Sequence, residues 1–390
     1  MNLVPEIVAL DAEMRDWRHR LHAHPETAFE EEATSRFVAD KLRAFGLDVH
    51  DGLAKTGVVG VLRTDSTGTS IGLRADLDAL HIQERSGVPH ASRNPGRMHA
   101  CGHDGHTTML LAAAKALSAR RNFRGTLHFI FQPAEENEGG GRVMVEEGLF
   151  DRFPMRAVYG LHNWPRMPAG TFAMRAGPLM GAYDVFEIVA TGKGAHAAMA
   201  YQGKDPMLFA AHAINALQTI VSRNLHPLDA GVVSVTQVHA GDTWNVIPEQ
   251  VVLRGTVRTF DAQVQDLIER RMKTLVDGIA AMFEMHATVR YERRYPATVN
   301  SAEETERAQR AAAAVVGEPN VDTDPTPEMG SEDFAFMLQK KPGCYAWLGA
   351  GRGADTPNLH NPHYDFNDDV LAIGASYWVK LAEQELPLSA

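Results

Sequence analysis

The sequence predicts an α/β protein in which a layer of largely parallel strands and covering helices is interrupted by a smaller inserted domain. Three observations carry this. The chain has 390 residues, too many for one typical core. Its first and last parts alternate apolar strand cores with helices, the pattern of a largely parallel sheet. Between them, residues 182–294 switch to period-two strands in the order βαββαβ, which fits a ferredoxin-like unit of about a hundred residues. The expected domains are therefore 1–181 joined with 295–390, and 182–294.

In order, "EIVALDAEMRDWRHRLHAHPE" spaces Ile7, Leu10, Met14, Trp17 and Leu21 three or four residues apart, an amphipathic helix ended before Pro25. "EEEATSRFVADKLRAFG" is a second helix, closed by Gly46. "VVGVLRT" and "SIGLRADLDAL" read as strands, "TMLLAAAKALSARR" as a helix and "GTLHFIFQPAEE" as a strand. A short helix, "GGGRVMVEEGLF", leads to the strand "AVYGLHNWP". In the insert, "YDVFEIVATG" sets Val185, Glu187 and Val189 against Phe186, Ile188 and Ala190. Helix "DPMLFAAHAINALQTIVSR", strands "GVVSVTQVHAG" and "EQVVLRGTVRTF", helix "DAQVQDLIERRMKTLVDGIAAMFEM" and strand "HATVRYERRY" complete it. On that long helix Leu267, Met272, Leu275 and Ile279 are expected to pack inward. The α/β pattern resumes with helix "SAEETERAQRAAAAVVG", strand "GCYAWLGAG", loop "LHNPHYDFNDD" and helix "VLAIGASYWVKLAEQEL".

Composition excludes several classes of function. At 44% hydrophobic and 22% charged residues this is a soluble globular chain. A net charge of -11 argues against nucleic acid or an anionic membrane as partner, since both reward basic patches. Only Cys101 and Cys344 occur, so no disulfide framework holds the fold and a reducing compartment is expected. The first residues carry no basic region ahead of an apolar core, and no apolar run reaches the roughly 18 residues that span a bilayer. The expectation is a cytoplasmic protein with nothing removed.

The chemistry concentrates in "HACGHDGHTT", residues 99–108, which offers His99, Cys101, His103, Asp104 and His106. Taken by itself it suits a thiol nucleophile with a histidine base, a metal clip, or a polar turn. Other strand ends supply partners: Asp76 and Asp78, the pair Glu135 and Glu136 after Gln132-Pro133, His162, and His360 with His363. Open α/β sheets bind ligands beyond the carboxyl ends of their strands. Adjacent glutamates suit a division of labour, one ligating a metal while its neighbour shuttles a proton for a water activated by that ion. Imidazoles, a thiolate and a carboxylate are plausible ligands for zinc, manganese, cobalt or nickel.

Alone, Cys101 would be a buried small hydrophobe; beside His103, Glu136 and His162 it reads as a ligand. Asp76 is expected to orient a ligand, and Asp78 to stabilise its loop. His106 is expected to support the helix start. Cys344, His128 and His212 read as structural, and residues 85–97 as a plain loop.

"HACGHDGHTTMLLAAAKAL", "FQPAEENEGGGRVMVEEGLF", "YGLHNWP", "GKGAHAA", "NVIPEQVVLRGTVRT", "MGSEDFAFM" and "LHNPHYDFND" together resemble the M20 metallopeptidase clan. They look most like its amidohydrolase branch of hippurate hydrolases, N-acyl-amino-acid amidohydrolases and auxin-conjugate hydrolases. The resemblance implies a zinc-exopeptidase-like α/β catalytic domain and an inserted lid and dimerisation domain. It implies two divalent metal ions per subunit held by Cys101, His103, Glu136, His162 and His360, with Glu135 as general acid/base. It also implies that His196 reaches a neighbouring subunit's site to stabilise the oxyanion, and that Asn245 and Arg258 hold a substrate carboxylate. The implied partners are a small N-acyl-L-amino acid and a second copy of the chain, in a homodimer or a larger homo-oligomer. Rival readings are a dipeptidase or carboxypeptidase of the same clan, a cysteine-dependent hydrolase, and a non-catalytic metal-binding protein. The chain departs from many relatives at His81, where a proline is usual, and at Met199-Ala200-Tyr201, where "MPH" is usual.

Overall fold

A computed structural model describes residues 1–65 and 68–388. The chain divides into two compact units. The first takes in Met1–Leu179, Val299–Thr326 and Asp333–Ala390; the second takes in Met180–Thr298 and a return segment, Pro327–Glu332.

The first unit is built on one eight-stranded sheet. Its strands run in the order Asp48–Leu53, Gly57–Arg63, Thr126–Gln132, Ser70–Asp76, Ala157–Pro168, Gly343–Gly351, Phe172–Ala173, Val321–Asp322. The four inner strands, from Thr126–Gln132 to Gly343–Gly351, are mutually parallel. They are apolar on both sides: all seven residues of Thr126–Gln132 are buried. The sheet is mixed rather than largely parallel. Its first two strands form a hairpin turned at Ala54 and Lys55, both with left-handed backbone, and so short a connection permits only antiparallel pairing. The Asp48–Leu53 strand carries no apolar alternation, which is why its sequence does not announce it. The helix His103–Arg120 is buried almost all round, because it packs against both Asp11–Ala23 and Leu371–Glu385. Cys344 is a fully buried core thiol.

The second unit carries a four-stranded sheet in the order Gly231–His239, Gln250–Thr259, Ala182–Thr191, His286–Tyr295, with every neighbouring pair antiparallel. The helices Pro206–Thr219 and Ala262–Met282 pack against it. Asp205 and Asp261 cap these helices through bonds accepted from the N–H groups of Met207 at 2.9 Å and Gln263 at 2.6 Å. The core joins Phe186, Ile188, Phe209, Leu217, Leu253 and Ile268. On the long helix the buried stripe is Val264, Ile268, Met272, Val276 and Ala280. Leu267, Leu275 and Ile279 flank this stripe, half-buried, so the inward face is turned by one position from the expected one. Among the described residues, no helix is long and apolar enough to cross a membrane.

Candidate metal centre

The parallel strands bring the donors to one level of the sheet, two of them by ending there. His162, expected at a strand end, lies instead in the middle of a strand that runs on to Pro168. Ser70–Asp76 stops at Asp76, Thr126–Gln132 runs into the turn bearing Glu135 and Glu136, and Ala157–Pro168 carries His162. Cys101 and His103 flank Gly102, whose φ of +93° starts the His103–Arg120 helix. A side chain there would meet Asn163 at 2.4 Å and Tyr364 at 2.7 Å, so glycine is required on both counts.

Donor atoms of Cys101, Glu136 and His360 lie within 4.8 Å of one another, as do those of His103, Glu135 and Glu136. Cys101 Sγ is 3.4 Å from His162 Nε2, and His360 Nε2 is 3.0 Å from Glu136 Oε1. His360 sits at φ +62° and donates its backbone N–H to Ala100 O at 2.8 Å. The six residues form one cluster in the first unit. His360 is its one exposed member.

Supporting contacts set the free nitrogen of each imidazole. His162 Nδ1 is 2.7 Å from the Asn163 carbonyl, which leaves Nε2 as the lone pair facing Cys101. His103 Nδ1 is 3.2 Å from Asp78 Oδ1, while its buried Nε2 has no hydrogen-bond partner among the described residues. An orphaned buried nitrogen at such a place is what a ligand to a cation looks like. His106 differs: Nδ1 is 2.6 Å from Asp76 Oδ1, and Nε2 accepts the Asn163 N–H at 2.9 Å. Both its nitrogens are spent. Asp76 is likewise occupied, by His106 and by Arg74 at 2.9 Å. A second cluster of donor atoms, Asp76, His103, His106 and His162, therefore contributes only His103 and His162 as open donors.

Electrostatics point the same way. Burial opposes ionisation of Asp76, yet His103, His106 and Arg74 hold its carboxyl well below the usual range. Burial, then His106, keeps His162 neutral. Burial also opposes a charge on His103, but Asp76 and Asp78 outweigh it and raise the imidazole to about 10. Burial, then Glu136 and Glu135, pushes the Cys101 thiol far up. So much buried negative potential calls for positive charge, and a thiolate forms here only beside a cation. The donor set fits divalent metal.

Several supporting residues escape the sequence. Arg74, fully buried, binds Gln132 at 2.9 Å and Asp333 at 3.0 Å as well as Asp76. Asn163 donates to the Cys101 carbonyl at 2.7 Å and accepts from Tyr364 Oη at 2.6 Å. Asn163 could be suspected from its place beside His162; Arg74, in an apolar strand, gives no signal beyond its charge. His99 is buried and held neutral, lowered to about 4 chiefly by burial.

His196, Asn245 and Arg258 lie in the second unit. His196 is exposed on a two-stranded ribbon, paired with Val246, and the Asn245 carbonyl accepts the Ala197 N–H at 2.9 Å, so His196 and Asn245 are neighbours. Arg258 lies over the Tyr183 ring at 4.2 Å and donates to Ser331 Oγ at 3.1 Å. Burial lowers its guanidinium, and no carboxylate among the described residues is paired with it.

The profile of Peptidase family M20/M25/M40 matches residues 72–384. The chain is 41% identical over 382 residues to the hippurate hydrolase of Campylobacter jejuni, covering 98% of this chain and 99% of that one. It is 39% identical over 375 residues to the N-acetyl-L-cysteine deacetylase of Bacillus subtilis, covering 95% and 87%. The YxeP protein of Bacillus subtilis, a dinuclear metal binding peptidase of the M20 family, superposes with a TM-score of 0.85 at 35% identity, covering 97% and 99%. Fold and relatives together define a metal-dependent amidohydrolase. The chain belongs to peptidase family M20/M25/M40.

Proposed function

We propose that this enzyme hydrolyses the amide bond of N-acyl-L-amino acids, releasing a carboxylic acid and the free amino acid. The observation that carries this is the buried donor cluster with Glu135 beside it, in a chain similar along its whole length to a hippurate hydrolase. Cys101, His103, Glu136, His162 and His360 would hold two divalent ions per subunit, of zinc, manganese, nickel or cobalt. Such ions, when bound, polarise an amide carbonyl and acidify water.

The rest falls to side chains. Glu135 takes the proton of the attacking water and passes it to the leaving amine. Asp78 and Asp76 orient the imidazoles. His196, supplied by a second copy of the chain, donates to the oxyanion, and Arg258 with Asn245 holds the substrate carboxylate. The working unit is then at least a homodimer, acting in the cytoplasm.

A thiol-nucleophile reading suits the site poorly. Burial and the carboxylates around Cys101 raise its thiol, whereas a nucleophilic cysteine needs a lowered one.

The test is amino-acid release from benzoyl-, acetyl-, long-chain acyl- and indoleacetyl-amino acids and simple dipeptides. Each is run as purified, after chelation, and after re-addition of single divalent metals. Turnover is expected to vanish with chelator and return with metal, with acyl-amino acids ahead of dipeptides. Turnover that survives chelation would remove the metal mechanism. Glu135→Gln is expected to keep its metal and lose about 100-fold or more in kcat.

A further inference from the structure

The turn that presents Glu135 and Glu136 is not relaxed. Ala134, immediately before them, has φ +54°, a left-handed conformation that costs a non-glycine residue roughly 1–2 kcal/mol. Pro133 ahead of it has no N–H to offer. Something distant must hold this backbone.

Glu31 does so. It is fully buried, and its Oε1 accepts the Ala134 N–H at 2.9 Å, while Oε2 accepts the Thr56 hydroxyl at 2.7 Å. Glu31 precedes the helix Glu32–Ala44, and Thr56 belongs to the turn ahead of the strand Gly57–Arg63. One carboxylate thus ties a helix start and a hairpin turn to the turn of the paired glutamates. Two further contacts complete the frame: Gly140 N–H bonds to the Ala134 carbonyl at 2.8 Å, and Glu136 N–H bonds to Asp78 Oδ2 at 2.9 Å. A side chain at Gly140 would lie 1.8 Å from the Pro133 carbonyl. The turn closes only around glycine.

We propose that Glu31 is a positioning residue for the reaction, fixing the strained Ala134 turn so that Glu135 faces the scissile amide. This rests on the reading of Glu135 as the general base. Glu31 touches neither substrate nor metal. Its task toward the turn is to accept the Ala134 N–H, which bonds to Glu31 Oε1, so the acceptor matters and the charge does not.

Three full-length, metal-loaded variants separate these properties. Glu31→Gln keeps length and acceptor without charge, Glu31→Met keeps length alone, and Glu31→Asp keeps charge but falls one methylene short. On the best substrate of the acyl-amino-acid panel, E31M and E31D are expected to lose tenfold or more in kcat. KM should stay within threefold and metal content should not change. E31Q should stay within threefold of wild type in both constants. Wild-type kcat in E31M or E31D overturns the proposal, as does an E31Q variant that falls as far as E31M. If E31M does not fold, the contrast between E31D and E31Q decides. Glu135→Gln, measured alongside, separates the two claims: wild-type kcat there removes Glu135 as base, whereas an inactive E135Q beside a fully active E31M overturns the role of Glu31 alone.

Discussion

Raising the pH through the range from about 6.5 to 9 should unlock the N-terminal helix from the metal loop through one residue, His22. The helix Asp11–Ala23 buries His22 and Arg18 against the start of the His103–Arg120 helix. His22 Nδ1 is 2.8 Å from Asp104 Oδ2 and Nε2 is 3.2 Å from Glu84 Oε1. Arg18 lies 3.7 Å from the same Asp104 and 2.8 Å from Asp365, and the His90 and His99 rings are the other neighbours. Burial opposes protonation of His22, but Asp104 and then Glu84 overcome it and raise the imidazole to about 9. The unfolded value is about 6.5, and the rise from there to about 9 is worth about 3.5 kcal/mol in full. Because the folded value is the higher one, the contribution is complete below about pH 6.5 and is lost as pH rises through about 9. Urea unfolding of metal-loaded wild type and His22→Gln at pH 6, 7.5 and 9.5 reads this directly. Groups common to both proteins cancel in the difference. The difference between the two proteins should shrink by about 3 kcal/mol from the first pH to the last. A difference that does not move with pH would refute the assignment of charge to His22.

Three other outcomes follow from the same contacts. Gly102→Ala would drive a methyl into Asn163 and Tyr364 at a left-handed position, so metal content and activity should both collapse while a circular-dichroism spectrum stays near wild type. Asn163→Ala removes the side-chain donor to the Cys101 carbonyl and the acceptor of the Tyr364 hydroxyl, while the backbone N–H to His106 stays, and metal affinity measured by competition with a chelator should fall about 10- to 100-fold. Glu31, raised to about 7 by burial and then by Asp78, withdraws stability as pH climbs from about 4.5 through 7, by up to about 3 kcal/mol. Glu31→Gln should therefore melt higher than wild type at pH 8 and show no such gain at pH 4.5.

What the sequence displays is governed by periodicity and by the ends of strands. The alternation in Ala182–Thr191 and the buried inner strand Gly343–Gly351 are legible because a half-buried strand and a fully buried one each write their own pattern. Asp48–Leu53 is not legible, since its polar residues make it a strand only through pairing with Gly57–Arg63. The candidate site divides along the same line. Cys101 and His103 open a helix, Glu135 and Glu136 follow a strand, and His162 interrupts an apolar strand, so their side chains advertise chemistry. Arg74 and Glu31 do not. Arg74 looks like an oddity in an apolar strand until Gln132 and Asp333, 58 and 259 positions away, close around it. Glu31 sits in an acidic run that any surface helix could begin with, and only the fold brings Ala134, 103 positions on, to its carboxylate. Groups that meet a substrate or a metal need particular residue types in particular places, and those types mark themselves. Groups that hold the backbone of such places need only an acceptor at the right point in space, and a one-dimensional pattern has no way to record that point. The strained φ of Ala134 therefore tells more about Glu31 than any motif does: strain that persists beside the paired glutamates requires a restraint, and the restraint is found by asking which group accepts that one N–H.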